Sequence, residues 1–111
     1  LKNDTLDRPP ARRTGAGRVT LLGDASHPMT PNLGQGACLA IEDAEVFART
    51  LAAPLNTEKA LRRYEAARYA RTAPLNRQSL WHGRIGQWRN PVASAIRDAA
   101  FRATPGPIAR W

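Results

Sequence analysis

The sequence has a single cysteine, two histidines, no methionine at its first position and no long apolar run. One cysteine, Cys38, cannot form an intramolecular disulfide. No stretch approaches the ~20 apolar residues that a membrane-spanning helix needs. The histidines and the cysteine have no spacing typical of a metal site, so we predict no bound metal. Together these absences favour a cytoplasmic protein without a membrane span.

Large aromatic side chains are also scarce. Two Phe, two Tyr and three Trp are spread over 111 residues, which predicts a thin core. Trp81, Trp88 and Trp111 are predicted to cover this core or a domain interface. A thin core and a first residue that is not Met lead us to expect the C-terminal portion of a longer protein.

Acidic residues are nearly missing from the second half. The net charge is +8, and residues 61–111 contain ten Arg against only Glu65 and Asp98. A basic half can indicate a nucleic acid or another anionic partner. The arginines are spread along predicted helices without a compact aromatic-interleaved pattern, which favours a solvated helix surface. A basic nucleic-acid-binding or interaction module, and an inactive relic, stay as alternative functions.

The periodicity predicts a mostly α chain with one or two short strands and three to four helices. Residues 18–22 are apolar and rich in β-branched side chains, which predicts a buried strand ending at Gly23. Helices are predicted at 37–52, from an N-cap at Thr57, and at 92–103 after Asn90-Pro91. Pro74 is expected to kink or break the second helix.

Each predicted helix has an apolar stripe, and that of the second helix is expected to line its inner side. In the isolated chain we expect the unpaired strand edge and the apolar helix face to be exposed. The stripes comprise Ala37, Ala40, Ile41, Ala44, Phe47, Ala48 and Leu51 in the first helix, Ala60, Leu61, Tyr64 and Ala67, with Leu75 as a further candidate, in the second, and Ile96, Ala99, Ala100 and Ala103 in the last.

The segment 23–36 joins the predicted strand to the first helix and contains the most informative pattern. The first amides of a helix are unpaired and carry partial positive charge, so a helix N-terminus suits an electron-rich or anionic group. Gly34 and Gly36 have no side chain, which allows a ligand to approach the backbone. Asp24 is placed to accept hydrogen bonds from the hydroxyls of a sugar-alcohol chain.

This order of residues resembles the second flavin motif of the FAD-dependent aromatic hydroxylases, a family that includes p-hydroxybenzoate hydroxylase, salicylate hydroxylase and zeaxanthin epoxidase. The resemblance rests on Gly23-Asp24-Ala25, Pro31, Gly34-Gln35-Gly36 and Glu42-Asp43-Ala44. It implies an α/β parent protein, with a Rossmann-like FAD-binding domain and a β-sheet substrate domain.

The family's first motif, GxGxxG after a strand, is absent, and Gly15-Ala16-Gly17 does not supply it. The resemblance therefore implies that residues 1–111 are the C-terminal portion of an FAD-binding monooxygenase domain. Residues 18–52 would form the strand–loop–helix flavin motif and residues 57–104 the C-terminal helices, without the dinucleotide-binding half.

The resemblance also implies roles for individual residues. Asp24 would bind the ribityl hydroxyls of FAD, and Pro31 would line the substrate side of the isoalloxazine. Backbone amides near the helix start would lie against the flavin pyrimidine; these belong to Leu33, Gly34, Gln35, Gly36, Ala37 and Cys38. No catalytic side chain is assigned.

The implied activity is hydroxylation or epoxidation of a small substrate with FAD, NAD(P)H and O2; an aromatic compound is one candidate substrate. We expect this chain to be inactive by itself, and a separately encoded N-terminal half is one candidate partner. No nucleic acid is expected as a partner under this interpretation.

Four other residues near the motif have structural and chemical interpretations. For His27, a hydrogen bond that stabilises the loop is favoured over a general base. Cys38 is expected to pack beside the flavin, although a helix N-terminus can also activate a thiol. Glu42 and Asp43 are adjacent on a helix and point in different directions, so a salt bridge to an arginine or an interaction with the helix dipole is favoured over paired acid–base chemistry.

Overall fold

The structure is a computed structural model that describes residues 6–103. These residues form three α-helices: α1 (Gly36–Ala52), α2 (Thr57–Gly86) and α3 (Pro91–Ala103). Two short 3-10 turns, Gly23–Ala25 and Pro31–Leu33, precede α1. The prediction of a mostly α chain is confirmed. Three features predicted from the sequence lie outside the described residues: the end of the helical region at Thr104, the Pro105-Gly106-Pro107 segment and Trp111.

The helix boundaries follow local capping signals. Asn56, and not Thr57, is the N-cap of α2, because the Asn56 side chain accepts a hydrogen bond from the Lys59 N–H. The predicted cap was therefore wrong by one residue. Asn90 caps α3 as expected, since its Oδ1 accepts from the backbone N–H groups of Val92 and Ala93.

Helix α2 is 30 residues long and contains Pro74 in its interior, so the predicted break does not occur. Proline has no N–H and costs helix stability, but it does not end a helix that tertiary packing holds on both sides. Such packing is present here: Ala73 and Asn76, on either side of Pro74, are both buried.

Residues 18–22 do not form the predicted strand. Within residues 6–103 the only β-type pairing is an isolated bridge between Ala16 and Val19. The Arg62 side chain donates to the carbonyls of Gly15 and Val19, at 2.6 and 3.1 Å. A strand needs a neighbouring strand to pair its backbone. No such neighbour lies in the described part of the chain, and a side chain from α2 satisfies these carbonyls instead.

The core lies between α1 and α2. Its buried apolar side chains are Leu39 from α1 and Ala60, Leu61, Tyr64 and Ala73 from α2. The rings of Phe47 and Tyr64 meet edge to face at a centroid distance of 5.3 Å, a favourable aromatic geometry. The predicted inner side of α2 is thus largely confirmed, although Ala67 is exposed.

The apolar stripe of α1 is exposed in this chain, as predicted. The buried residues of α1 are Leu39, Asp43 and Thr50. Its apolar stripe faces outward, and only Phe47 is partly covered; the exposed members are Ala37, Ala40, Ile41, Ala44, Ala48 and Leu51. The side of α1 that carries Asp43 faces α2, because Asp43 is buried in an ion pair with Arg68. No described element covers the opposite side, which carries the apolar stripe.

Helix α3 also leaves its apolar stripe exposed. Ile96, Ala99, Ala100 and Ala103 are all accessible. An apolar groove between the end of α2 and α3 contains Trp81 and Trp88, which are 61% and 45% exposed, so neither covers the core. No helix within residues 6–103 is both long enough and apolar enough to cross a membrane.

Candidate functional site

The loop that carries the Gly-Asp and Gly-x-Gly pattern is fixed on the surface of α2. Asn76 Nδ2 donates to the Pro28 carbonyl at 2.7 Å. Ser79 Oγ donates to the Thr30 carbonyl at 2.6 Å, and Asn32 Nδ2 donates to the Ser79 carbonyl at 2.9 Å. Because Asn76 and Ser79 are buried, these bonds are shielded from water and hold the loop in one place.

Asp24 lies at the start of this loop, next to the beginning of α1. Gly23 precedes it with a φ of +56°, a conformation that glycine adopts without strain. Asp24 is exposed, and its Oδ1 lies 3.7 Å from the position that a Cβ on Gly36 would occupy. The fold therefore brings together the carboxylate and the glycine that the sequence places 12 residues apart.

The N-terminus of α1 is open. Its N-cap residue is Gln35, and no side chain caps the helix within the described residues. Gly34 adopts a left-handed φ of +63°, and apart from its two chain neighbours no residue lies within 4 Å of where its Cβ would be. An uncapped helix start with accessible backbone and a neighbouring carboxylate fits the hydroxyl chain and electron-rich ring of a flavin.

The other predicted site residues lie around this opening. None is buried, and their positions follow the loop into the first turn of α1; they are Pro31, Leu33, Gln35, Ala37 and Cys38. The Cys38 thiol is free and exposed. All eight predicted residues thus lie between positions 24 and 38 on the accessible surface, and none is buried.

Behind this surface, a buried carboxylate connects the loop to both helices. Asp43 is fully buried, and its Oδ2 accepts a hydrogen bond from the Gly23 N–H at 2.6 Å. The same oxygen lies 2.8 Å from Nε2 of His27, which is also buried. Arg68 Nε donates to Asp43 Oδ1, and Arg68 also donates to the Leu39 carbonyl. The loop-stabilising hydrogen bond predicted for His27 is confirmed.

Glu42 forms a second, more exposed link between α1 and α2. Arg68 and Arg71 both donate to its carboxylate, at 3.0 to 3.2 Å. The hydrogen bond from Arg71 lowers the pKa of Glu42. The salt bridges to arginine favoured from the sequence are therefore confirmed for both Glu42 and Asp43.

Several residues that support the site were not identified from the sequence. These residues lie on α2 and are Arg68, Asn76 and Ser79. Asn76 and Ser79 contact loop residues that are more than 40 positions earlier in the sequence. Arg68 is one of ten arginines in the second half of the chain, and nothing in its local sequence separates it from the others.

The fold and this site define an FAD-binding domain. A family model described as FAD binding domain matches residues 5–79, which is more than half of the chain. The chain belongs to this family.

The curated relatives are longer proteins, and the chain matches a part of each. It is 46% identical over 102 residues to aurachin C monooxygenase/isomerase of Stigmatella aurantiaca, covering 92% of this chain and 27% of that protein. It is 43% identical over 94 residues to 2-heptyl-3-hydroxy-4(1H)-quinolone synthase of Pseudomonas aeruginosa, covering 85% and 24%. It is 44% identical over 86 residues to the chloroplastic zeaxanthin epoxidase of Capsicum annuum, covering 68% and 13%. The chain therefore spans about a quarter or less of these relatives.

A solved structure has the same arrangement. Klebsiella pneumoniae HpxO, crystallised with FAD and uric acid, superposes with a TM-score of 0.78 at 35% sequence identity. The superposition covers 86% of this chain and 25% of HpxO.

Proposed function

We propose that this chain forms the flavin-facing part of an FAD-dependent monooxygenase that hydroxylates or epoxidises a small substrate with NAD(P)H and O2. The observation that carries the proposal is the position of the exposed Asp24 carboxylate beside Gly36, at the uncapped N-terminus of α1. Family membership and the names of the relatives support the same conclusion.

In this proposal the residues of the loop bind and orient the cofactor. The Asp24 carboxylate accepts hydrogen bonds from the ribityl hydroxyls. The backbone amides from Leu33 to Cys38 lie against the flavin pyrimidine, where the helix dipole stabilises negative charge. Pro31 lines the substrate side of the ring, and its rigid backbone helps to exclude water there.

FAD, when bound, supplies the redox chemistry that protein side chains lack: it takes up hydride and, once reduced, activates dioxygen. The contribution of this chain is to fix the ring and the ribityl chain before that chemistry begins. Preorganised amides need no rearrangement as charge develops, which is why such an arrangement accelerates a reaction.

We further propose that residues 1–111 are the C-terminal portion of a flavin-binding domain, with residues 18–52 as the flavin motif and residues 57–104 as C-terminal helices. The exposed apolar stripe of α1 supports this, because a stripe of this kind is usually covered by another part of the protein. The dinucleotide-binding half would then be supplied by a further segment, in the same or in a separate chain. A cytoplasmic location stays a prediction.

The substrate class is proposed from the relatives alone. One is named for aurachin C, one for 2-heptyl-3-hydroxy-4(1H)-quinolone and one for zeaxanthin, and these names support a largely apolar substrate. We propose no contact with nucleic acid, since arginines such as Arg62, Arg68 and Arg71 are engaged within the protein by carboxylates.

The proposal is tested by titrating the purified protein with FAD and following flavin fluorescence. The titration is done with the protein alone and with a co-expressed segment that carries the family's dinucleotide-binding motif. Asp24→Ala should weaken FAD binding by about tenfold, the size expected for a charged hydrogen-bond acceptor. Glu45→Gln is the control, because Glu45 is an exposed carboxylate on α1, outside the loop and the first turn of that helix, and should leave binding unchanged.

Absence of FAD binding in both formats would overturn the proposal. If nucleic acid then bound with an affinity that falls steeply with salt, the basic second half of the chain would become the functional surface.

A further inference from the structure

Asp43, His27 and Arg68 form a buried polar cluster behind the loop of residues 23–36. We infer that Asp43 is a positioning residue for FAD binding: through the Gly23 N–H and His27 it fixes the turn that presents Asp24 to the cofactor. This inference rests on the proposed function.

The geometry makes Asp43 the fixed point of the turn. Its Oδ2 accepts from the Gly23 N–H at 2.6 Å and lies 2.8 Å from His27 Nε2. The backbone closes between the same two residues, because the His27 N–H donates to the Gly23 carbonyl at 3.0 Å. Both ends of the five-residue turn are therefore held on one carboxylate oxygen, and Asp24 lies between them.

Asp43 acts on the site indirectly, through the backbone of the turn. It is fully buried on the inner side of α1, whereas Asp24 is exposed on the outer side of the turn. The Gly23 amide that Asp43 holds belongs to the residue immediately before Asp24, so a shift of this amide moves the Asp24 backbone directly. Gly23 has a left-handed φ, and its flexibility gives the turn other conformations once this bond is lost.

Arg68 allows a carboxylate to occupy this buried place. Its Nε donates to Asp43 Oδ1, and its other nitrogens donate to the Leu39 carbonyl and to Glu42. An unpaired buried charge is strongly destabilising, and this arginine, itself buried, supplies the opposite charge and links α2 to the turn.

The arrangement needs two acceptor oxygens at position 43. One oxygen faces the N–H of Gly23 and the other faces the Nε–H of Arg68. An asparagine has one acceptor oxygen and one NH2 group, so in either orientation it places a donor against a donor. Asp43→Asn therefore keeps the shape of the side chain and removes one of the two attachments.

The experiment is a double-mutant cycle on FAD affinity, with the protein in the format that binds FAD. Asp43→Asn is measured in the wild-type background and in the Asp24→Ala background. If Asp43 acts through Asp24, the substitution lowers affinity by about tenfold in the first background and by less than about twofold in the second. An equal loss in both backgrounds, or no loss in the first, overturns the inference.

A second measurement reports on the turn without the cofactor. Amide hydrogen exchange at Gly23 and Asp24 should become faster in Asp43→Asn, whereas Glu45→Gln, an exposed carboxylate on the same helix, should leave both rates unchanged. Unchanged exchange at Gly23 in Asp43→Asn contradicts the role of the carboxylate in holding the turn.

If Asp43→Asn fails to fold, substitutions of His27 replace it in the cycle. His27→Ala removes the contact to Asp43 Oδ2 and should weaken FAD binding. His27→Gln, whose amide nitrogen can reach the same oxygen, should restore most of it, and equal affinities for the two variants overturn the inference. If wild type binds FAD and Asp24→Ala weakens binding while Asp43→Asn does not, this inference fails and the proposed function stands. If wild type binds no FAD in any format, both fail.

Discussion

Leu39 and Ile41 are two residues apart on α1 and have opposite surroundings. Leu39 is completely buried between α1 and α2, whereas Ile41 is 73% exposed. Both are large aliphatic side chains of similar hydrophobicity, so a comparison of the two separates the effect of burial from that of residue type.

We predict that Leu39→Ala lowers the free energy of unfolding by about 2–5 kcal/mol, because it removes buried methyl groups and leaves a cavity. Ile41→Ala should change it by less than about 0.5 kcal/mol, as for other surface substitutions. Urea unfolding followed by circular dichroism measures both. Equal effects of the two substitutions would show that α1 packs with a different face.

At the scale of the elements, α1 and α2 are joined by charged pairs as well as by apolar contacts. Asp43 and Glu42 of α1 both pair with Arg68, and Glu42 also pairs with Arg71. These pairs select the face of α1 that meets α2, because burial of Arg68 requires the carboxylates to lie opposite it. The burial of Tyr64 in the same interface raises the pKa of its hydroxyl, so this residue stays neutral in the folded protein.

The pairing of Glu42 predicts a dependence of stability on pH. The hydrogen bond from Arg71 lowers the pKa of Glu42 below its ordinary value of 4.5. The pair therefore contributes fully above this value, and its contribution is lost as the pH falls through the lower pKa of the folded state. We expect the difference in Tm between wild type and Glu42→Gln to be present near pH 7 and to shrink in acid.

Thermal melts at several pH values, at low and at high salt, measure this dependence. Because the Glu42 side chain is 35% exposed, salt should reduce the difference. A difference in Tm that stays constant down to about pH 3, well below the ordinary carboxyl pKa, would contradict the assignment of the pair.

At the scale of the whole molecule, two exposed apolar segments lie next to each other: residues 21–22 and the apolar stripe of α1. Leu21 and Leu22 are 37% exposed each, and a Cβ on Gly23 would lie 3.7 Å from the Cβ of Ala40 in the α1 stripe. Residues 21–22, which were predicted to lie in a strand, are therefore next to the exposed face of α1. In the proposed function, this region meets the dinucleotide-binding part of the flavin domain.

We predict that Ile41→Glu prevents association with a co-expressed dinucleotide-binding segment and leaves the stability of this chain unchanged, because Ile41 makes no core contact here. Val92→Glu is the control: Val92 is 69% exposed and lies on α3 instead. Co-purification and size-exclusion chromatography measure the association. Loss of association in both variants, or in neither, would mean that the α1 stripe is not the contact surface.

Much of the candidate site could be predicted from the sequence because its residues are close together in the chain. The loop and the start of α1 span residues 23–38, and glycine spacing, a carboxylate and a helix start are local features. Its supports could not be predicted in the same way. Asn76 and Ser79 meet the loop through contacts 47 to 49 residues apart in sequence, which no periodicity encodes.

The sequence by itself determined the three helices, the cap at Asn90 and the order of the flavin motif, because propensity, capping and turn chemistry act over a few residues. Only the tertiary structure decided which face of α1 is buried, whether Pro74 ends α2 and whether residues 18–22 pair as a strand. Each of these depends on what lies opposite in space. Arg68 pairs with the carboxylates of α1, so the charged face of that helix is buried. Packing on both sides of Pro74 keeps α2 helical there. A strand forms only where another strand pairs with its backbone.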